Sequence, residues 1–151
     1  LRDDYGLPKL ERALKLCPDT VFVGHGPTFW AEISAHVPEN MRSGYPKGSI
    51  QPGGAVSRLM REYPNLWADL SAGSGYNALT RDPSFGIEFL DEFQDKLMFG
   101  TDSCLRSDVK KVYPNVDFIR RIEEEKKISK DAVEKIKWKN AVELFKLKIT
   151  D

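Results

Sequence analysis

His25 and Asp102 combine side chains that can bind a divalent metal ion with positions that suit such chemistry. Each follows a short apolar segment that ends on or near a glycine, 21–24 before His25 and 96–101 before Asp102. The carboxyl ends of parallel strands carry the active residues of α/β proteins, so we expect both side chains at one edge of a sheet. An imidazole nitrogen can coordinate a metal, and a carboxylate beside it can bind the ion and accept a proton from water. The pair therefore predicts a metal site in which Asp102 is also catalytic.

Each residue also has a plain structural interpretation. His25 could be a hydrogen-bonded loop histidine, and Asp102 could bond the backbone amides of the next turn. A metal site needs three or four protein ligands, and only these two residues are good candidates. We expect the remaining histidine, His36, on the surface, and Cys104 as a small buried apolar residue rather than a ligand.

Small and polar residues after the middle strand form the second candidate region. We predict that residues 71–77 are a loop that approaches a ligand closely, because glycine and serine leave room for one. The candidate substrate contacts are Trp30, Ser71, Tyr76, Asn77 and Arg81. Pairing of Arg81 with Asp82 and burial of Trp30 in the core are the alternatives.

Ser71 and His25 could in principle act as nucleophile and base. No Gly-x-Ser-x-Gly elbow surrounds Ser71, so the sequence disfavours this arrangement.

Apolar periodicity predicts the elements that position these residues. We expect helices over 5–17, 28–36 and 55–63, and from about residues 83, 114 and 129 onward, with Asn140 as the cap of a final separate turn. We expect strands over 21–23, 66–70 and 96–99, and a long irregular loop over 38–54. Strands that alternate with helices favour parallel βα units, so the predicted fold class is α/β.

Three strands are few for this architecture. Parallel sheets usually contain more strands and are covered on both faces, and an isolated sheet of three has two open edges. The chain also begins at Leu1 rather than at methionine. We therefore expect a single partial domain, 1–151, completed by a missing N-terminal half or by a partner chain, with homo-oligomerisation left open.

The balanced composition excludes some classes of partner. Lys+Arg and Asp+Glu are both 23, so no net charge favours nucleic acid or an anionic membrane surface. No apolar run approaches the roughly 20 residues that span a bilayer. Two cysteines and the absence of a signal peptide at the first residues predict a reducing, cytoplasmic location.

Four segments together resemble the amidohydrolase-related family (amidohydrolase 2) over nearly the whole chain. They are Phe-Val-Gly-His-Gly at 22–26, Trp-Ala-Asp-Leu-Ser at 67–71, Leu-Met-Phe-Gly-Thr-Asp at 97–102, and Ile-Lys-Trp-Lys-Asn-Ala-Val-Glu-Leu-Phe at 136–145. The resemblance implies the C-terminal portion of a (β/α)8 TIM-type barrel, with the three strands as its sixth, seventh and eighth. It implies that His25 is the sixth-strand metal ligand, and that Asp102 is the eighth-strand ligand and proton acceptor.

The function implied by the resemblance is hydrolysis of a small molecule by water activated on a divalent metal, with zinc as the expected ion. Metal-assisted decarboxylation of an aromatic or unsaturated acid is the alternative within the family. The family's first-strand His-x-His pair has no counterpart here, and Pro27 stands where a second glycine is common. A non-catalytic module that pairs with a partner chain, and an unrelated α/β domain that binds a ligand at 71–77 without a metal, remain the alternatives from other classes.

Overall fold

The fold is a three-stranded parallel sheet with helices between and after its strands, seen in a computed structural model that describes residues 3–106 and 113–149. In chain order the elements are α1 (Pro8–Leu16), β1 (Phe22–Gly24), α2 (Pro27–Ala31), α3 (Ala55–Glu62), β2 (Leu66–Asp69), α4 (Ala72–Thr80), α5 (Pro83–Glu92), β3 (Leu97–Met98), α6 (Pro114–Glu124), α7 (Lys130–Glu134) and α8 (Asn140–Phe145). A 3-10 turn, Glu39–Met41, lies between α2 and α3, and a π-helical segment, Lys135–Lys139, joins α7 to α8. The predicted α/β class is confirmed.

The strands lie side by side in chain order, β1–β2–β3. Phe22 is opposite Leu66, and Ala68 has Gly24 on one side and Leu97 on the other. Because all pairs are parallel, the segments that follow the three strands emerge at the same edge of the sheet. Both His25 and Asp102 belong to these segments.

The core lies between one face of the sheet and the helices. Leu66, Ala68 and Leu97 are fully buried there. The helices contribute fully buried apolar side chains to the same cluster, among them Leu14, Trp30, Val56, Leu59, Leu79, Leu90 and Ile136. Trp30 and Ile33 therefore face inward, which for Trp30 is the alternative to the predicted substrate contact.

The two outer edges of the sheet differ. At β3, the Leu97 carbonyl accepts from Asn140 Nδ2 at 2.7 Å, and the Phe99 N–H donates to the Ile136 carbonyl at 2.8 Å. The C-terminal helical segment thus covers this edge. At β1, the outward backbone groups of Val23 have no hydrogen-bond partner within residues 3–106 and 113–149.

The predicted buried strand at 21–23 is wrong for its valines, since Val21 is 42% exposed and Val23 is 38% exposed. Both valines therefore lie where β1 is partly open to solvent.

The predicted loop at 71–77 is also wrong, because most of it forms helix α4. Two glycines would normally weaken a helix, but here they allow close packing. A Cβ on Gly75 would lie 2.7 Å from the Leu70 carbonyl carbon, so the helix can sit on the end of β2 only with glycine there. Tertiary packing overrides local propensity at this position.

Two helix ends differ from the prediction. Helix α2 ends at Ala31 rather than near residue 36, because the Glu32 carbonyl and the Ala35 N–H bond residues 56 and 51 instead of continuing the helix. Asn140 does not cap a separate turn. The helical chain is continuous through it, and its amide bonds the carbonyls of Gln94 and Leu97.

The remaining helices agree with the sequence more closely. Ser129 caps α7, which agrees with the helix predicted from about residue 129, since its hydroxyl accepts from the Ala132 N–H at 3.1 Å. Cys104 is exposed, so the prediction that it is a buried apolar residue is wrong, and Cys17 is exposed as well. Among the described residues, no helix is both long and apolar enough to cross a membrane.

Candidate functional site

His25 stands immediately after β1, where the chain turns sharply from the strand into α2. Gly24 is buried against the Phe29 ring, and a Cβ at that position would overlap the ring. Gly26 has φ +89°, which favours glycine, and it lets α2 start at Pro27. The result is a tight turn that leaves the His25 side chain 45% exposed at the carboxyl end of the sheet.

A carboxylate from the neighbouring strand holds the imidazole. His25 Nδ1 lies 3.1 Å from Asp69 Oδ1 and 3.0 Å from Asp69 Oδ2. Asp69 is the last residue of β2, and the register that sets Gly24 opposite Ala68 brings it beside His25. The two residues are 44 positions apart in the chain, so the parallel pairing of β1 with β2 creates this contact.

Ser71 is the third member of the cluster. Its backbone N–H donates to Asp69 Oδ1 at 3.0 Å, its hydroxyl donates to the same oxygen, and its Oγ lies 3.2 Å from His25 Nδ1. Ser71 is also the N-cap residue of α4, yet its side chain makes no cap hydrogen bond. Its hydroxyl is committed to Asp69 instead.

This geometry does not support Ser71 as a nucleophile that His25 activates. In a serine–histidine–carboxylate triad the serine and the carboxylate lie at opposite ring nitrogens. Here Ser71 and Asp69 both lie at Nδ1 of His25, and the Ser71 side chain is buried. The structure therefore gives no support to Ser71 as a nucleophile with His25 as its base.

Trp30 supports the cluster from the core. Its indole N–H donates to the Asp69 main-chain carbonyl at 3.2 Å, and its ring packs edge-on against Phe29 and Phe89. Only 2% of the residue is exposed. Its place favours a role in positioning the end of β2 over the predicted contact with substrate.

Asp102 presents a different environment at the end of β3. It is exposed, has φ +59°, and makes no hydrogen bond or ion pair with any described residue. The backbone before it is fixed, because the Gly100 carbonyl accepts from Asn115 Nδ2 at 2.6 Å. The alternative in which Asp102 bonds the next turn has no contact to support it in the described chain.

The donor types fit a divalent metal, but the number of donors does not complete a site. An imidazole nitrogen and a carboxylate are both ligands that zinc takes in proteins. Within the described residues, no cluster of three or more His, Cys, Asp or Glu side chains could hold a metal ion. No hydrogen bond or ion pair joins His25 to Asp102. Further ligands would have to come from outside the described residues.

The other predicted substrate contacts, Tyr76, Asn77 and Arg81, lie on or directly after α4, and no hydrogen bond joins them to His25. The Tyr76 ring packs edge-on against Phe118 at 6.1 Å. Burial lowers the pKa of Arg81 below its usual value, and the negative charge of nearby Asp82 offsets only part of this effect. The guanidinium Nε and Nη2 are buried without a hydrogen bond.

The ion pair of Arg81 with Asp82, which was the alternative to substrate contact, does not form. The Asp82 carboxylate instead accepts from the Ile50 N–H at 3.0 Å and from the Phe85 N–H at 3.4 Å, where it caps α5.

Asp69 is the site residue that the sequence analysis missed. The sequence places it in the predicted strand 66–70 and in the segment 67–71 that supports the family resemblance, and its position resembles that of Asp102, an acidic residue at the carboxyl end of a predicted strand. That shared pattern was the available signal.

His25 also lines a mainly apolar cleft of about 360 Å³. Its walls come from α1, the end of β1 and the start of α2, and they include Leu10, Ala13 and Phe29. The cleft therefore lies beside β1, whose outer edge pairs with no other strand of the described chain.

Comparison with known proteins identifies the family. A family model described as Amidohydrolase matches residues 6–147, which is nearly the whole chain and includes β1, β2 and β3. Comparison with curated proteins and with solved structures gave no significant match. Because the match spans the strands together with His25, Asp69 and Asp102, the chain belongs to the amidohydrolase family.

Proposed function

We propose that this chain is part of a divalent-metal-dependent hydrolase, with zinc as the expected ion. One observation carries the proposal: in a chain of the amidohydrolase family, His25 and Asp102 follow parallel strands of one sheet and so emerge at the same edge. In this proposal both residues bind the metal, and Asp102 also accepts a proton from the attacking water.

The chemistry divides between the ion and the protein. When bound, a divalent cation supplies Lewis acidity and lowers the pKa of water at the site. His25 offers a ring that is already held from one side, and Asp102 offers a carboxylate that no described residue engages. A small-molecule substrate would approach from the solvent side, where both side chains are exposed.

We further propose that β1, β2 and β3 correspond to the sixth, seventh and eighth strands of a TIM-type barrel. The match between spatial order and chain order supports this arrangement, since consecutive barrel strands are neighbours. The sheet would continue from β1, whose outward backbone groups lack partners and whose flank carries the apolar cleft. Either a preceding half of the same polypeptide or a partner chain would supply the additional strands and metal ligands.

The test measures metal content, mass and turnover of the complete protein, which includes the preceding half or the partner chain. Native mass spectrometry and elemental analysis are run before and after treatment with a chelator, alongside hydrolysis assays on ester, amide and lactone substrates. We expect a stoichiometric metal, loss of hydrolysis on chelation and recovery with Zn²⁺. Turnover that persists after complete metal removal would contradict the proposal, and release of CO₂ without hydrolysis would identify the decarboxylase alternative.

A matched pair of histidine variants localises the effect. H25Q removes the proposed ligand, whereas H36Q removes an exposed imidazole. We expect H25Q to lose metal and activity and H36Q to keep both. Equal metal content in the two variants would exclude His25 as a ligand.

A further inference from the structure

We infer that Asp69 and Ser71 hold His25 as the Nδ1–H tautomer, which leaves Nε2 as the nitrogen that binds the metal. Asp69 and Ser71 are positioning residues in this inference, since each acts on the site through His25. The tautomer is inferred from the hydrogen bonds around Nδ1 and the carboxylate of Asp69, and only the identity of the ligand at Nε2 rests on the proposed function.

The contacts at Nδ1 require the ring to be the donor. Both Asp69 oxygens lie within 3.1 Å of His25 Nδ1. An ionised carboxylate offers only acceptors. Asp69 Oδ1 already receives two donors from Ser71, its N–H and its hydroxyl. The imidazole therefore contributes the proton of the His25–Asp69 hydrogen bond from Nδ1.

Ser71 orients the Asp69 carboxylate, which in turn orients the His25 ring. A serine at an N-cap normally accepts from an amide of the first helical turn, and that bond is absent here. The next residue, Ala72, has φ +60°, a conformation that costs free energy for a residue with a Cβ. The chain thus gives up a cap and adopts a strained turn at the point where Ser71 contacts Asp69.

The opposite side of the ring is open. His25 is 45% exposed, and Nε2 has no hydrogen-bond partner among the described residues. A histidine whose Nδ1–H donates to a carboxylate presents the Nε2 lone pair in one fixed direction, and this arrangement recurs at histidines that bind metals. Asp69 and Ser71 therefore prepare His25 before any ligand arrives.

The first test reads the tautomer directly. Protein with ring-¹⁵N histidine is studied in long-range ¹H–¹⁵N spectra, with metal removed and at a pH where the ring is neutral, and the His25 signals are assigned by their absence in H25Q. We expect Nδ1 to have the protonated pattern and Nε2 the unprotonated one. The reverse pattern in the unmodified protein overturns the inference without any variant.

Variants then test who sets the tautomer. In D69A we expect Nδ1–H to become the minor form and the Kd for Zn²⁺ to rise about 10- to 100-fold, as for loss of other partners behind a ligand histidine. In S71A we expect a smaller rise, about 2- to 10-fold, because one supporting hydrogen bond is lost. D91N and S84A, which change exposed residues of α5, are the matched controls and should leave both readouts unchanged.

Failure of this inference and failure of the proposed function give different results. If the double variant D69A/S71A keeps the Nδ1–H tautomer and still binds Zn²⁺, then Asp69 and Ser71 do not set the tautomer, and the metal proposal is unaffected. If the Nδ1–H tautomer depends on Asp69 but the protein binds no Zn²⁺, then the positioning role of Asp69 is supported and the metal proposal is contradicted. If D69A does not fold, the tautomer of the unmodified protein and the S71A readouts still decide the question.

Discussion

The carboxyl end of β1 and the carboxyl end of β3 each present one metal-binding type of side chain, but the two are held in opposite ways. At β1, side chains hold the His25 ring itself through Asp69 and Ser71. At β3, helices hold the backbone before Asp102, through Asn115 and Asn140, while the Asp102 carboxylate stays free of described partners.

The difference shows that orientation can be fixed at two levels. His25 is oriented by its own hydrogen bonds, so removal of a supporting residue should change its geometry with little effect on the fold. Asp102 is placed by its backbone, so removal of a supporting residue should first affect stability. Each prediction below tests one side of this contrast.

The largest effect is expected for D102N in the complete protein. An amide keeps the size of the side chain but cannot accept the proton, so kcat/KM should fall about 10²- to 10⁴-fold, the usual range for a lost general base. Stability should stay unchanged, because the carboxylate contacts no described residue. Steady-state kinetics and thermal melting check the two parts, and turnover near that of the unmodified protein would remove Asp102 from the mechanism.

The next effect is on stability and concerns the support of β3. N140A deletes the buried amide that bonds the Gln94 carbonyl at 2.6 Å and the Leu97 carbonyl at 2.7 Å. Buried acceptors left unsatisfied cost about 1–3 kcal/mol each, so we expect a loss of about 2–4 kcal/mol in the free energy of unfolding. Urea denaturation measures it, with N40A, at an exposed asparagine, as the control. A loss as small as that of N40A would show that this edge is held by other contacts.

A pair of glycine variants compares the two strand ends directly. G24A forces the Phe29 ring to move, and overpacking of this kind costs about 1–3 kcal/mol. G100A places a Cβ 3.1 Å from the Ser71 Cβ, a contact that a small shift relieves, so we expect less than about 1 kcal/mol. Denaturation curves of both variants test the order. A larger loss for G100A would mean that the β3 end is the more tightly packed of the two.

The smallest effect is a pH dependence of stability. It concerns an ion pair between the helices near β1, in contrast to the uncharged Asn140 amide that supports β3. Hydrogen bonds from Lys15 and then Arg58 lower the pKa of Glu11 from 4.5 to about 2, and this contact ties α1 to α3. Because the folded pKa is depressed, the contribution is complete above pH 4.5 and is lost as the pH falls toward 2. It should amount to less than about 1 kcal/mol, since the pair is partly exposed. Unfolding measured across this range should show a weaker pH dependence in E11Q, and an unchanged slope would contradict the assignment.

Local patterns in the sequence predicted the elements well and predicted contacts poorly. The apolar stripes of α1, α3 and α6 lie within single helices, so their period alone identifies them. The helix over 72–80 was missed because two glycines signal a loop locally, and only the close approach of Gly75 to Leu70 explains why a helix forms. The apolar neighbours of Val23 predict burial, whereas its exposure depends on whether another element packs over its face of the sheet.

The sequence by itself determined that this protein has an α/β fold and that His25 and Asp102 follow strands, because strand and helix periods are local properties of the chain. Only the tertiary structure decided that Asp69 and Ser71 meet His25, and that Asn140 covers the edge of β3. These contacts join residues more than 40 positions apart. They depend on strand register and helix packing, which no local pattern of residues specifies.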